Sequence, residues 1–376
     1  MKGALEGVLV VDLSQNLPGP YCSRLLADQG ARVIKVEPKG KGDFARLLPG
    51  FYKALNGGKE SLSLDLKDPS DREVLYQLAQ KADVVIESFR PGVVKRLEID
   101  YERLKRGNPR LVYCSISGYG QEGAIASVPA HDINLQANAG LIGFSGRRYK
   151  NSDEECPIPI ADMVTSLYAH SAIVSQLLAR GKRRKGAYID MSMNDGLEHM
   201  VSVWEHTTPR TEMVMKLLGK RGVPKSLLSP MRRPIGRIVR RGLLPAMPHY
   251  GVFECRDGQS LCLGIVDENH FWKKLCEELG GPMLRFSHMK PPQRVAMGLV
   301  IKPLLARALK AKTAEQWYRR LAEELALPVS LVRDSGDLER VKIPAQSPLG
   351  QGDKLAEPRA LGADNGALIS EFCSES

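Results

Sequence analysis

Three short segments near the N-terminus constrain this chain more than anything else in it. Val8–Leu13 is an apolar run with β-branched content. Tyr21–Gln29 has helical spacing and stops at Gly30. Arg32–Glu37 is a second strand-like run, closed by Pro38. Two consecutive strands joined through a helix pair in parallel with a right-handed crossover. Parallel strands are buried on both faces, which fits their unbroken apolar character. The pattern continues with strands expected at Ser61–Leu66, Val84–Ile86 and Leu111–Ile116, and a helix at Asp71–Ala82 with Ser70 as its N-cap. The expected class is α/β, with a Rossmann-like, doubly wound large domain.

Further along, Asp162 opens a helical pattern that runs to Gly181, followed by a strand at Tyr188–Met193. Tyr250–Cys255 and Ser260–Ile265 flank Arg-Asp-Gly-Gln, a hairpin signal. A helix is expected from Glu268 to Leu279, stopped by Gly280 and Gly281. Thr313-Ala-Glu-Gln316 is a capping box that opens a helix to Leu325. Pro328–Val332 reads as a strand returning to the main sheet. The expected organisation is a large α/β domain begun by residues 1–206, a basic insertion or linker at 207–249, a smaller α+β domain at 250–325, and a tail, 326–376, that rejoins the large domain.

The net charge of +11 over 376 residues is unevenly placed. Ten basic residues and one acid, Glu212, lie between Pro209 and His249, and Arg180–Lys185 adds five more basic residues. The remaining chain is slightly acidic. Prolines 224, 230, 234, 245 and 248 prevent one continuous helix in the basic stretch. It has no aromatic residue between Trp204 and Tyr250 on which a base would stack, so no nucleic-acid partner is expected. A solvated surface, or an electrostatic guide for an anionic ligand, is the preferred reading. It ranks above a membrane-surface role for Met213–Leu218. No signal peptide or membrane-length apolar run is present, and the seven cysteines contain no CxxC pair. A cytoplasmic protein with reduced thiols and no metal site is expected.

The turn between the first strand and helix is Ser14-Gln-Asn-Leu-Pro-Gly-Pro20. It lacks the glycines that admit a pyrophosphate, and its prolines remove amide donors, so a nicotinamide dinucleotide is not expected. Signatures of P-loop enzymes, serine hydrolases of the GxSxG type and zincins are absent. Among seven histidines, His131 stands out in Pro129-Ala-His-Asp-Ile-Asn134, after the glycine-rich loop Gly118–Gly123. Asp162 follows Pro157-Ile-Pro-Ile-Ala161 and is either a simple N-cap or a semi-buried carboxylate. Together, one histidine and one such carboxylate make an acid–base pair.

Several segments, taken in order, resemble the family III CoA-transferases (the CaiB/BaiF superfamily). They are Val10-Val-Asp-Leu-Ser14 with Pro18-Gly-Pro20, Leu26–Pro38, Asn56–Lys67, Glu87-Ser-Phe-Arg-Pro-Gly-Val93 and Asn108–Gly120. Ala130-His-Asp-Ile-Asn134 is similar to the histidine motif of the α-methylacyl-CoA racemase branch. The resemblance implies an interlocked, ring-like homodimer acting on an acyl-CoA thioester, with CoA entering as part of the substrate and no separate cofactor. It implies that His131 and Asp162 form the racemase base pair, with Glu268 a small-domain acid near the partner's site. It also implies that Glu37, Lys39, Leu64, Asp65, Leu66, Lys67, Arg90, Ala130, Asp132, Ile133 and Asn134 belong to segments that hold CoA or the acyl end.

The implied reaction inverts the α-carbon of a 2-methyl-branched acyl-CoA by two-base proton transfer through an enolate, with the amides at the helix start near Asp162 expected to stabilise the enolate oxygen. The alternative is CoA transfer between carboxylic acids, with Asp162 forming a mixed anhydride. His131 argues against it, as does the lack of a glycine-run loop between Tyr250 and Gly281. Two departures from the racemase pattern stand out. Met163-Val-Thr-Ser-Leu167 replaces glycines that follow the aspartate in the family, and Leu135 replaces a tyrosine.

Overall fold

The apolar runs assemble into one parallel sheet in the computed structural model, which describes residues 3–142, 148–149, 152–153, 156, 158–205, 247–332 and 356–373. Its strands are Leu9–Asp12 (β1), Arg32–Pro38 (β2), Glu60–Leu64 (β3), Val84–Glu87 (β4), Val112–Ser117 (β5) and Ala187–Ser192 (β8). They lie in the order β3-β2-β1-β4-β5-β8. Between β5 and β8, Arg148–Tyr149 (β6) and Ser152–Asp153 (β7) pair as a short antiparallel ribbon. Strand β1 pairs on one side with β2 and on the other with β4, so the winding reverses there. Successive side chains face opposite layers, as the pleat requires. Val10, Val84, Ile86, Val112 and Cys114 enter one core; Val11, Val85 and Tyr113 enter the other.

The helices up to residue 205 are Pro18–Asp28 (α1), Pro49–Asn56 (α2), Pro69–Lys81 (α3), Val93–Arg96 (α4), Tyr101–Gly107 (α5), Asp132–Asn138 (α6), Ile160–Arg183 (α7) and Met193–Glu205 (α8). Helix α1 begins three residues before the expected start. Pro18 and Pro20 occupy its first turn, where a missing N–H leaves no bond unmade. Gly30 follows its end at φ 98°, the left-handed geometry expected of it. The N-cap of α3 is Asp68 rather than Ser70: its carboxylate accepts the Ser70 amide, and Pro69 takes the first helical position. Helix α7 begins at Ile160, so Asp162 lies within its first turn and is not the N-cap. It continues past Gly181 to Arg183, where Arg184 turns left-handed at φ 55°.

The described residues form two units. The first comprises 3–142, 148–149, 152–153, 156, 158–201 and 356–373; the second comprises 202–205 and 247–332. In the second, Tyr250–Glu254 (β9) and Ser260–Gly264 (β10) form the expected antiparallel hairpin. Asn269–Leu279 (α9), Pro291–Ala296 (α10), Gly298–Leu309 (α11) and Ala314–Tyr318 (α12) surround a core containing Trp272, Leu305 and Trp317. Thr313 and Gln316 exchange the two capping-box bonds. Val329–Leu331 (β11) is a strand, but it pairs antiparallel with β10 and does not return to the parallel sheet. Leu263 meets Val329 and Leu261 meets Leu331, so the backbone of this segment is satisfied by the small sheet of the second unit and the return to the large domain comes later in the chain.

The chain rejoins the first unit later. Asn365–Cys373 (α13) contributes Leu368 and Phe372 to its core, and Asp364 and Asn365 accept amides of Ser61 and Ser63. The basic stretch 209–249 lies outside the described residues except at its last three positions. There, His249 is fully buried.

Candidate active site

In an open parallel sheet, ligands bind beyond the carboxyl ends of the strands, where the winding reverses. A pocket of about 300 Å³ occupies that place. Its walls come from Leu13 and Gln15 after β1, Val36–Lys39 and Lys41 at β2, Leu64–Lys67 after β3, Phe89 after β4, and Leu97. Six of the residues expected to hold CoA or substrate therefore meet at one pocket: Glu37, Lys39, Leu64, Asp65, Leu66 and Lys67. Lys39 and Lys67 are exposed. Lys39 reaches Asp71 at 3.4 Å, and the carboxylate of Asp65 accepts the Lys67 amide at 3.0 Å. Arg90 follows Phe89 and is exposed.

Glu37 plays a different part from its neighbours. It is 1% exposed, and its carboxylate accepts two bonds from Arg46 at 2.8 and 2.6 Å, the Tyr52 hydroxyl at 3.0 Å and the Asp43 amide at 2.9 Å. Burial pushes this carboxyl upward, but the Arg46 bonds, the Asp43 amide and the charge of Arg46 outweigh it and hold it below the usual range. Glu37 thus braces the pocket wall, whereas Lys39 and Lys67 are exposed.

Beneath the β1–α1 turn lies a buried ionic network. Lys59 donates to Pro20 O, Ser23 Oγ, Asn56 Oδ1 and Asp12 Oδ2 at 2.7–3.2 Å. Lys35 bonds Ser14 O and lies 3.3 Å from Asp43. Burial pushes Lys59 down to about 8. It also opposes ionisation of Asp12, yet Lys35, Lys59, Ser14 and Ser23 bring that carboxyl down to about 2. The network ties down the turn that carries Gln15 into the pocket. Asp12, Ser14, Lys35, Asn56 and Lys59 lie in motifs of the sequence and Ser23 and Asp43 do not, and the pairings follow only from the placing of the strands.

The second group of expected residues meets where α6 and α7 begin. His131 is the N-cap of α6 and is exposed; its amide donates to Asn134 Oδ1 at 2.9 Å. Ala130 is half-buried and Ile133 and Asn134 are exposed. Asp132, the first residue of α6, accepts the Asp162 amide at 3.0 Å, which joins the two helix starts. Asp162 is half-buried, and its carboxyl is pushed up to about 7, first by burial and then by the charge of Asp132. A helix N-terminus ordinarily favours the carboxylate; here burial and a like charge prevail.

Two expectations for this region change. The amide of Asp162 is engaged by Asp132 and that of Met163 by Pro159 O, so neither is open to an enolate. Leu135 is fully buried in the core beside Ala139 and Ala161, so the position that carries a tyrosine in the racemase pattern is a packing position here. The residues that replace the family's glycines bond back to the chain. Thr165 Oγ1 donates to Ala161 O at 2.6 Å, and Ser166 Oγ lies 2.8 Å from Asp162 O and 2.7 Å from Pro18 O. Ser166 thereby connects the Asp162 turn with the start of α1.

Glu268 belongs to the second unit. It is the N-cap of α9, and the Val266 amide donates to its carboxylate at 2.8 Å, holding it below the usual range. Among the described residues, no group of three or more His, Cys, Asp or Glu side chains is placed to hold a metal ion, and no helix is long and apolar enough to cross a membrane.

Comparisons with known proteins bear on the family and the fold. The model of CoA-transferase family III matches residues 5–346. An acetyl-CoA:oxalate CoA-transferase from Acetobacter aceti is 35% identical over 332 residues, 84% of this chain and 77% of that protein. A human α-methylacyl-CoA racemase is 34% identical over 280 residues, covering 74% and 65% respectively. A crystal structure of a CaiB/BaiF family protein from Brucella suis superposes with a TM-score of 0.77 at 24% identity, over 99% of this chain and 100% of the other.

Proposed function

The chain belongs to CoA-transferase family III, and on that premise we propose that it inverts the α-carbon of a 2-methyl-branched acyl-CoA. The observation that carries this reading is Asp162, whose carboxyl is pushed up to about 7 and whose amide is bonded to Asp132, the residue that follows the His131 cap of α6. In one direction His131 removes the α-proton of the thioester and Asp162 returns a proton on the opposite face; in the other the roles exchange. The proton count balances, because one base gains the proton that the other loses. The enolate oxygen needs donors, and the first amides of α6, which have no intrahelical acceptor, adjoin His131. The pocket at the sheet supplies Lys39, Lys41 and Lys67 for the anionic end of CoA. A homodimer is part of the proposal, and sedimentation at micromolar concentration tests it: a monomer would contradict it.

A second reading is CoA transfer between carboxylic acids, favoured by the similarity to the oxalate enzyme. It requires an ionised Asp162 to attack the thioester carbonyl and form a mixed anhydride with release of CoA thiolate. A carboxyl raised to about 7 is poorly suited to that below neutrality. The β9–β10 connection at residues 255–259 is also too short for a long glycine-run loop. Incubation with (R)- or (S)-2-methylacyl-CoA in D2O separates the two. Deuterium at C2 with loss of optical purity supports inversion; CoA passing to an added acid without label at C2 supports transfer.

A further inference from the structure

Asp132 is held against the start of α7 by more than its neighbour's amide. Its Oδ2 accepts the Asp162 N–H at 3.0 Å, and its Oδ1 accepts Gln136 Nε2 at 2.5 Å. Gln136 is buried and clasps the backbone of Cys156: its Oε1 accepts the Cys156 N–H at 3.0 Å, and its Nε2 approaches Cys156 O at 3.2 Å. One side chain therefore links α6 to the segment leading into α7 and fixes the rotamer of Asp132. Asp132 cannot turn from Asp162 without breaking bonds to Gln136 and to the Asp162 amide.

This inference rests on the inversion reading above: we propose that Asp132, held by Gln136 and bonded to the Asp162 amide, is a positioning residue for Asp162 and not a CoA ligand. Asp132 anchors the first turn of α7 and keeps a negative charge beside the carboxyl that must deliver a proton. The other elements packed against α7 leave it as the charge that matters. On α1, Arg24 and Asp28 pair with each other at 2.7 Å and burial pushes the Cys22 thiol up; on β5, burial pushes Tyr113 and Cys114 up; on β8, it raises Tyr188, and Asp190 accepts the Gln121 amide at 2.9 Å. His131 stands at the cap of α6, one residue before Asp132. Of these groups, Asp132 is the one whose charge acts on Asp162.

Asp132→Asn tests this, because it keeps an oxygen acceptor for the Asp162 amide and removes the charge. Protein labelled with [4-13C]aspartate is titrated by NMR, with Asp162→Asn assigning the signal. The Asp162 midpoint is expected to fall by about one pH unit in Asp132→Asn, the scale of removing a nearby like charge. In Asp132→Glu, which keeps the charge, it stays closer to the native value. In the exchange assay, the alkaline limb of the pH–rate profile of Asp132→Asn moves the same way with KM for acyl-CoA little changed. An unmoved Asp162 midpoint in a folded Asp132→Asn protein overturns the proposal, as does a raised KM with an unmoved profile. If Asp132→Asn does not fold, Gln136→Leu, which cuts the tether and keeps the charge, replaces it: a lowered midpoint supports the proposal and an unchanged one overturns it. The titration does not depend on turnover, so a lowered midpoint without α-proton exchange refutes the inversion reading alone.

Discussion

Glu37 and Asp162 are both carboxyl groups drawn out of water in the first unit, one at the end of a strand and the other in the first turn of a helix. Their surroundings separate them. Glu37 receives Arg46, Tyr52 and the Asp43 amide, and stays ionised although it is almost fully buried. Asp162 is less buried, has Asp132 for its charged neighbour, and is pushed up to about 7. Burial raises both; what differs is the compensation. Glu37 therefore serves as a fixed anion that braces the pocket wall, whereas Asp162 can bind and release a proton near neutral pH.

The comparison breaks most visibly at Asp162 itself. Asp162→Asn is expected to lower α-proton exchange by about 10³-fold, within the range for losing a general acid–base group; an exchange rate within tenfold of native would remove Asp162 from the chemistry. Arg46→Ala acts on the opposite member. It leaves Glu37 buried without its cation and should destabilise the protein by about 3 kcal/mol in denaturant titrations, whereas Asp162→Asn should leave the native state intact.

A pH series sharpens the contrast. Burial and the charge of Asp132 push Asp162 from the ordinary aspartate value of 3.8 up to about 7, so between those values the native state holds the extra proton. The stability contributed by Asp162 is thus complete below about pH 4 and lost as pH rises towards 7, with a slope of about 1.4 kcal/mol per pH unit at most. Stability curves of native protein and Asp162→Asn should diverge over that window; parallel curves would mean that Asp162 titrates normally. Glu37, held low, contributes in the reverse sense, with stability lost as pH falls. The smallest effect is expected on the outer side of the pocket. Lys39→Ala and Lys67→Ala should each raise KM for acyl-CoA by about threefold to tenfold, with kcat unchanged and the effect shrinking at high salt. A fall in kcat without a change in KM would place these lysines elsewhere in the mechanism.

Much of this was legible in the residues. The strand-helix-strand opening led to a parallel sheet, and Gly30, the β9–β10 turn and the Thr313 capping box punctuate the chain as expected. Glu37, Lys39 and Leu64–Lys67 were selected together and line one pocket. Other features were not legible, for physical reasons. Three residues are too few for periodicity to reveal which sheet Val329–Leu331 joins; the hydrogen-bonding edge of β10 decides it. Leu13, Gln15, Lys41 and Leu97 lacked a chemical signal, though the rule for strand carboxyl ends reaches the first two once β1 is placed.

The sequence by itself determined the sheet, because apolar periodicity and turn residues act locally, and it determined which acids and bases the chain has available. Only the tertiary structure decided what those groups are. It set Arg46 against Glu37 and Asp132 against Asp162. Protonation depends on charges and dielectric within a few ångströms, and those neighbours are brought together by folding rather than by position along the chain.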